Sequence, residues 1–198
     1  DVIVGCAMPE ADQGMNVALL MDSVTRMAMA QRDIGTSVGE VAAAKGYTPS
    51  VFSMLPRLME RSGRSEKGSI TGFYTVLVER DDMNEPISDA VRGILDGHIV
   101  LSRTLAEAGH YPAIDIEQSA SRVMHSVVPR AHLELARRFR ALYSRYQKSR
   151  DLIQVGAYVP GTDAQLDEAI RLQPQMAAFL QQDMYEAATL EHSVQAMA

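Results

Sequence analysis

An aspartate follows a continuous apolar run near the start of the chain. Residues Val17 to Met21 read Val-Ala-Leu-Leu-Met, and Asp22 comes next. An apolar run of this length is typical of a strand buried on both faces of a parallel sheet. Such sheets bind ligands at the carboxyl ends of their strands, where a carboxylate can hold Mg²⁺ beside phosphate groups. The pattern also suits an aspartate that only caps the following helix, so both interpretations stay open.

A second group of residues with chemical potential ends at Arg122. The sequence from Pro112 reads Pro-Ala-Ile-Asp and, after three residues, continues Ser-Ala-Ser-Arg. Proline fixes a turn and serine side chains bond to nearby backbone, so we expect Arg122 to lie on a fixed loop. A planar guanidinium held in place suits the charge that develops on a phosphoryl group during its transfer. The alternative is a surface arginine in an exposed ion pair, which contributes little to stability.

The elements that would position these residues alternate between strand and helix. Helix-forming residues occupy 23–34, and a β-branched and aromatic stretch predicts a second strand over 69–78. A helix over 86–95 begins with proline, which suits the first helical position, and residues 98–101 predict a short third strand. This alternation predicts an α/β fold in which the strands form one parallel sheet with right-handed crossovers.

The last part of the chain has only a helical pattern. Apolar residues recur at the spacing of one helix face, namely at Leu135, Phe139, Leu142 and Tyr146. Asp163 suits the N-cap of a further helix that runs to about Leu172. Pro174 is expected to end that helix and to begin another one that continues through Gln182.

The charge distribution changes within this helical part. Residues 130–150 contain seven basic side chains and one acid, whereas residues 151–198 contain seven acids and one base. The basic stretch is either a solvated helix face or a surface that receives an acidic partner helix. We place the domain boundary near Val128–Pro129, which gives one domain over 1–128 and a second over 129–198.

Composition excludes several classes of protein. The 198 residues carry a net charge of −6, which argues against a generally basic protein that coats nucleic acid. The single cysteine, Cys6, excludes an internal disulfide or a multi-cysteine metal site, and it favours a reducing compartment. The five histidines have no metal-ligand spacing, and no apolar run approaches the eighteen residues that a membrane span needs.

Six segments, taken together and in one collinear order, resemble the rotary-type ATPases. They lie at residues 21–26, 46–52, 68–71, 81–86, 95–103 and 112–122. Segment 112–122 resembles the signature of the F-type α and β subunits and their secretion relatives, and segment 21–26 resembles their Walker B strand end. The combination resembles the ATPases of type III protein export, flagellar or virulence-associated. Residues 156–163 favour the flagellar branch.

This resemblance implies roles for four residues and implies ATP and Mg²⁺ as cofactors. Asp22 would order Mg²⁺ and the attacking water. Arg122 would reach the site of a neighbouring subunit as an arginine finger. Tyr111 would pack against adenine, and Phe179 would help on the other face of the base. Each site would then take Asp22, Tyr111 and Phe179 from one copy and Arg122 from the next.

The fold implied by the resemblance is α/β, with an incomplete RecA-like parallel-sheet nucleotide-binding domain followed by an all-α C-terminal domain. The sequence contains no Gly-x-x-x-x-Gly-Lys-[Ser/Thr] loop, which cradles the phosphates in the family. It also contains no Gly-Glu-Arg-Gly-Arg-Glu segment, which in the family carries the glutamate that polarises water. We therefore expect an incomplete C-terminal portion of such an ATPase that is inactive alone. Residues 1–5 and 6–11 each resemble a separate strand of the nucleotide domain.

The function expected from the resemblance is ATP hydrolysis at the subunit interfaces of a homohexameric ring, which energises flagellar or virulence type III protein export. The expected partners are nucleotide, other copies of the chain, a stalk protein, export chaperones and cargo, but not nucleic acid. The expected location is cytoplasmic and peripheral to the inner membrane, at the export gate. The alternatives are an F- or V-type rotary subunit and a non-catalytic adaptor. Glu40 and segment 81–86 favour the export branch, whereas the missing phosphate-binding loop favours the adaptor.

Overall fold

A computed structural model describes residues 8, 10–79 and 82–198. The chain divides into two compact units, unit 1 over Asp1–Leu95 and unit 2 over Asp96–Ala198. The boundary expected near Val128–Pro129 falls inside unit 2, directly before a long helix that begins at Arg130. That domain boundary stays a prediction.

As far as the structure describes it, unit 1 is built on a three-stranded sheet with the order β1–β3–β2. Its strands are β1 (Asn16–Met21), β2 (Gly63–Arg64) and β3 (Ser69–Tyr74). Strands β1 and β3 are parallel, as the alternation of elements predicts, and β2 is antiparallel to β3. Strand β3 ends at Tyr74 and not at residue 78, because its partner β1 ends opposite it at Met21.

Three helices of unit 1 enclose its main core. They are α1 (Val24–Ser37), α2 (Pro49–Met59) and α3 (Pro86–Ile94). The first and third agree with the predicted helices, whereas α2 was not predicted. The side chains of Val24, Val51, Leu55 and Ile87 are fully buried in this core. Each such burial stabilises the unit by about 1.5–3 kcal/mol.

Within the described residues, the sheet of unit 1 is covered by apolar packing on one face only. Leu19 and Ile70 are buried on that face. On the opposite face, Leu20 lies directly across from Phe73, and these side chains are 74% and 59% exposed. Parallel sheets are normally covered on both faces. The exposed face of β1 and β3 is therefore apolar surface of a kind that is usually buried.

Unit 2 begins with a separate two-stranded antiparallel sheet. Strand β4 (Gly97–Leu101) pairs with β5 (Ile114–Ser121), and the short helix α4 (Arg103–Glu107) lies between them in the chain. Residues 98–101 thus form the expected strand, but its expected place in the parallel sheet is wrong. The reason is that β5 supplies an antiparallel partner within the same unit, with Leu101 opposite Ile114.

The rest of unit 2 is helical. Its helices are α5 (Met124–Val127), α6 (Arg130–Gln154), α7 (Ala164–Leu180) and α8 (Leu190–Ala196). The predicted apolar face of α6 packs on α7, and Leu142, Ala169 and Met176 are buried between these helices. The expected order of an α/β part followed by helices is confirmed.

Pro174 does not end a helix, which corrects the prediction. Helix α7 continues through it from Ala164 to Leu180. Proline inside a helix removes one backbone hydrogen bond and costs about 3 kcal/mol. Ala169 and Met176 lie on either side of Pro174, and both are buried against α6. Their burial offsets the cost of the proline.

Two ion pairs fasten α6 to the first turns of α7. Arg138 bonds Glu168 at 2.6 Å, and Arg145 bonds Asp163. Asp163 is the N-cap of α7, as predicted, because its Oδ1 accepts the N–H groups of Gln165 and Leu166. The neighbouring Arg145 guanidinium, with these backbone donors, holds the pKa of the Asp163 carboxyl below its usual value.

The two strands suggested within residues 1–11 fall largely on residues 1–7 and 9, which lie outside the described residues. Cys6 lies outside them as well. Residues 10–12 are helical, so the suggestion of a strand as far as Ala11 is wrong at its end. Ala11 lies in this turn of helix and is buried in a cluster with Leu19 and Ile70.

Candidate functional site

Asp22 lies at the carboxyl end of β1, beside the carboxyl end of the parallel strand β3. Thr75 donates a hydrogen bond from Oγ1 to Asp22 Oδ1 at 2.7 Å, and the Thr75 N–H donates to the Met21 carbonyl at 3.0 Å. The Asp22 side chain is exposed. A carboxylate and a hydroxyl are thus held together at the edge where parallel sheets bind ligands.

Ser23, and not Asp22, caps helix α1. Ser23 Oγ accepts the N–H of Arg26 at 3.3 Å, and the Ser23 side chain is buried. The first turn of α1 is also tied to the segment after β3, because the Leu77 N–H donates to Thr25 Oγ1 at 2.9 Å. The capping interpretation of Asp22 is therefore wrong, and the backbone around its carboxylate is fixed from both sides.

Thr75 is a site residue that the sequence reasoning missed. The signal was available, because parallel strands in register place the residue after β1 beside the residue after β3. Met21 pairs with Tyr74, so Asp22 and Thr75 follow as neighbours. The missing step was the exact register, which depends on the packing of both strands and not on either strand alone.

Arg122 lies in the short bend between strand β5 and helix α5, which agrees with the expected loop. The Arg122 N–H donates to the Asp96 carbonyl at 2.7 Å, which extends the β4–β5 pairing beyond Ser121. The Arg122 side chain is exposed. The two-stranded sheet of unit 2 therefore fixes the backbone that carries this guanidinium.

A long bulge interrupts β5 shortly before Arg122. Between the pairs His98–Ala120 and Val100–Asp115, β4 has one residue whereas β5 has the four residues 116–119. We call residues 116–119 the β5 bulge. Bulges re-aim the strand that contains them and are common next to active sites.

Local side chains hold the β5 bulge in shape. Asp115 Oδ1 accepts the N–H groups of Glu117 and Gln118 at 2.9 and 3.0 Å. Ser119 Oγ accepts the Val100 N–H at 2.9 Å and donates to the Asp115 carbonyl. The expectation that the serines bond to local backbone is confirmed, and the bulge is a defined structure.

Arg140 of helix α6 also binds the β5 bulge. Its Nη2 donates to the carbonyl oxygens of Glu117 at 2.8 Å and Ser119 at 2.5 Å. No local pattern predicts this contact, because Arg140 is one of several basic residues on α6 and lies more than twenty positions from Ser119.

Tyr111 and the end of helix α7 lie next to each other within unit 2. The Gln182 N–H donates to the Tyr111 carbonyl at 2.9 Å, and the Tyr111 side chain is 57% exposed. Phe179 is partly buried, and its ring centroid lies 5.1 Å from that of Phe139 in a tilted arrangement. The structure thus brings the two expected adenine contacts to neighbouring segments, while the Phe179 ring also contacts that of Phe139.

Much of the basic stretch on α6 is engaged in contacts within unit 2. Four of its seven basic residues bind groups within unit 2, namely Arg130, Arg138, Arg140 and Arg145. Only the Arg130–Glu134 pair lies within α6 itself. A large share of the positive charge therefore serves internal contacts.

Glu40, which favours the export branch, has a structural role in unit 1. Glu40 Oε2 accepts the Ser50 N–H at 3.2 Å, and hydrogen bonding by Ser50 lowers the Glu40 pKa. A Cβ at Gly35 would lie 2.7 Å from Thr48 Oγ1. Glycine at position 35 therefore lets the loop before α2 close against α1.

The described part of the chain contains no group of three or more His, Cys, Asp or Glu side chains placed to hold a metal ion. In the same residues, none of the helices combines the length and the apolar character needed to cross a membrane. A single carboxylate still fits Mg²⁺ that arrives with a nucleotide, since Mg²⁺ is usually bound through one or two carboxylates plus substrate phosphates.

Comparison with known proteins first defines the class of protein. A model of the nucleotide-binding domain of the ATP synthase alpha/beta family matches residues 2–121. This match covers more than half of the chain, so the chain belongs to the ATP synthase alpha/beta family. Residues 128–198 match the C-terminal domain of the T3SS EscN ATPase. The predicted resemblance to type III export ATPases is confirmed.

Individual relatives agree with both matches. The chain is 57% identical over 186 residues to the flagellum-specific ATP synthase of Bacillus subtilis strain 168, covering 94% of the chain and 42% of that protein. The assembled ATPase EscN from the type III secretion system of enteropathogenic E. coli superposes with a TM-score of 0.95 at 48% identity, covering 98% of the chain and 47% of EscN. EscN in complex with its central stalk EscO gives a TM-score of 0.88 at 47% identity, covering 98% and 46%.

The chain spans about two fifths of the length of the curated relatives that it matches. This share agrees with the expectation of a partial chain, and the activity and partners of the whole protein are taken up as proposals.

Proposed function

We propose that the whole protein hydrolyses ATP at the subunit interfaces of a homohexameric ring and thereby energises type III protein export, flagellar or virulence-associated. One observation carries this proposal: a nucleotide-binding family model and an EscN C-terminal model match consecutive parts of the chain. The EscN C-terminal match makes an F- or V-type rotary subunit the weaker alternative. The flagellum-specific relative supports a flagellar system.

Asp22 is proposed to hold Mg²⁺ and to orient the attacking water. Mg²⁺ supplies stabilisation of the negative charge on the β- and γ-phosphates when it is bound. The hydrogen bond from Thr75 fixes Asp22 Oδ1. This bond supports the proposal because a carboxylate that is already oriented loses less freedom when it takes up a ligand.

Arg122 is proposed to act as an arginine finger on the nucleotide of the neighbouring copy. Its exposed side chain and its fixed backbone support this role. An arginine finger must lie on the surface of its own subunit, and its backbone must be held in place. Tyr111 and Phe179 are proposed to hold adenine. The exposed ring of Tyr111 offers the planar face that stacking needs.

The remaining proposals concern partners and location. The EscN complex with its central stalk supports a stalk protein as a partner of the ring. Export chaperones and cargo follow from the proposed task, whereas the net charge of −6 disfavours nucleic acid. We place the protein in the cytoplasm, peripherally associated with the inner membrane at the export gate.

One observation favours a non-catalytic adaptor as the second candidate. The 198 residues contain no Gly-x-x-x-x-Gly-Lys-[Ser/Thr] loop. They therefore lack both the backbone N–H groups that cradle the phosphates and the lysine that contacts them. The chain by itself is therefore expected to show no ATPase activity. The two candidates differ in whether the whole protein contains this loop. Its presence in the sequence ahead of the chain supports the ATPase, and its absence supports the adaptor.

The direct test uses a fusion protein in which the part of the Bacillus subtilis relative that precedes the matched region is joined to this chain. We expect Mg²⁺-dependent ATPase activity per subunit to rise steeply with protein concentration, because each finger arrives from another copy. Activity and mass are measured over the same concentrations. Activity that does not depend on concentration contradicts the shared site, and an assembled but inactive ring supports the adaptor.

Replacing Tyr111 with alanine in the fusion protein tests the adenine contact. Loss of one base–aromatic stack should weaken nucleotide binding about 10-fold and change kcat much less. Titration with a fluorescent nucleotide measures the affinity. The matched control is Leu190→Ala, which removes a large side chain that is 73% exposed in the same unit. Equal affinities of the two variants would place Tyr111 among the structural residues.

A further inference from the structure

The strand end that carries Arg122 is attached to its own sheet by few pairs. Beyond the β5 bulge, Ala120 and Ser121 pair with β4 opposite His98 and Gly97, and the Arg122 N–H donates to the Asp96 carbonyl. The bulge separates these two pairs from the pairs at Ile114 and Asp115. A bulge disrupts the ladder locally and bends its strand, so the two sides of β5 are held by separate sets of pairs.

Helix α6 supplies a cross-link to the β5 bulge. Arg140 Nη2 donates to the carbonyls of Glu117 and Ser119, two groups within the bulge that the β4 ladder does not pair. Hydrogen bonds from a guanidinium to carbonyl oxygens are charge-assisted and stronger than neutral ones. The Ser119 carbonyl lies only three residues before Arg122, so its position sets where the Arg122 backbone begins.

We infer that Arg140 is a positioning residue for Arg122: by holding the β5 bulge against α6, it fixes the place from which the finger reaches the neighbouring nucleotide. This inference rests on the proposed role of Arg122. It also gives α6 a defined connection to the chemistry, because displacement of α6 relative to the β4–β5 sheet must move or break these two hydrogen bonds.

The other contacts of the bulge cannot replace Arg140. Asp115 and Ser119 bond within the bulge or to β4, and the ring nitrogen Nε2 of His98 lies 2.8 Å from the Gln118 carbonyl. All of these contacts belong to the small sheet itself. Arg140 connects the bulge to the 25-residue helix that forms the core with α7.

The experiment compares Arg140→Gln, Arg140→Lys and Arg137→Gln in the fusion protein. Arg137 is exposed on the same helix, so its substitution removes the same charge without touching the bulge. We expect Arg140→Gln to lower kcat about 10- to 100-fold with an unchanged KM for ATP, since a displacement of about 1 Å in a reacting group can cost this much. Arg140→Lys keeps a donor and should recover part of the rate, and Arg137→Gln should match the unmodified protein.

Two further measurements separate positioning from a general loss of folding. In an Arg122→Ala background, Arg140→Gln should lower kcat no further, because a residue that acts through Arg122 has nothing left to position. Hydrogen exchange at residues 116–121 should become faster in Arg140→Gln while exchange in α7 stays the same.

Each contrary result has a defined meaning. Unchanged kcat in Arg140→Gln overturns the inference, and so does a further loss in the Arg122→Ala background or unchanged exchange at 116–121. If Arg122→Ala lowers kcat but Arg140→Gln does not, only the inference fails. If Arg122→Ala itself leaves kcat unchanged, the proposed finger fails and the inference falls with it.

Discussion

Replacing Arg122 with alanine in the fusion protein is expected to lower kcat by about 1000-fold or more, which is the range that an arginine finger supplies. Nucleotide affinity should stay nearly unchanged, because the guanidinium acts mainly on charge that develops in the transition state. Steady-state kinetics and a fluorescent-nucleotide titration on the same samples give both quantities.

Two controls sharpen the Arg122 experiment. Arg122→Lys keeps the positive charge but loses the planar fork, so it should recover only part of the rate. Arg137→Ala removes an exposed arginine of the same unit and should leave turnover unchanged. Turnover of Arg122→Ala equal to that of Arg137→Ala would rule out a finger and return Arg122 to the class of surface arginines.

Replacing Asp22 with asparagine is expected to lower Mg²⁺-dependent turnover by about 100-fold or more, since bound metal contributes several kcal/mol of charge stabilisation. Asparagine keeps the size of the side chain and an oxygen for Thr75, but it removes the negative charge. Turnover measured against Mg²⁺ concentration tests this expectation. Asp33→Asn is the matched control, because Asp33 is an exposed carboxylate of the same unit. A normal Mg²⁺ dependence in Asp22→Asn would refute the metal assignment.

Mixing the two inactive variants gives an independent test of the shared site. In a ring that contains both variants, some interfaces join an intact Asp22 of one copy to an intact Arg122 of the next. Random mixing in equal amounts makes about a quarter of the interfaces complete, so activity should reappear. Activity that stays at the level of the separate variants would show that both residues serve the site within a single copy.

Local patterns were sufficient to predict many of the elements. The uninterrupted apolar run ending at Met21 gave β1, and the proline at position 86 gave the start of α3. The spacing of Phe139, Leu142 and Tyr146 gave the packed face of α6. In each case the residues that determine the element are neighbours in the chain, so the signal needs no knowledge of tertiary contacts.

Tertiary contacts decided the features that the sequence did not predict. Pro174 should break α7 by its local chemistry, yet the packing of Met176 on α6 keeps the helix continuous. Helix α2 contains Pro56 in its interior and depends in the same way on burial of Leu55 and Leu58, on either side of that proline. Local propensity is a weak guide when a side chain on each side of a proline is buried.

The candidate site shows the same division between local and distant information. Asp22 and Arg122 stood out because each one ends a distinctive string of residues. Thr75 and Arg140, which bond to Asp22 and to the β5 bulge, lie 53 and at least 21 positions away from their partners. Contacts over such separations depend on strand register and helix placement, which single-sequence patterns do not specify.

The exposed pair formed by Leu20 and Phe73 has a practical consequence for work with the isolated chain. These two large apolar side chains lie next to each other on an exposed sheet face, and such a patch favours association with another molecule. Among the described residues, strand β1 is also at the edge of its sheet, where unpaired backbone groups encourage the same outcome. Handling at low concentration, with light scattering as a monitor, therefore belongs to any preparation of these 198 residues alone.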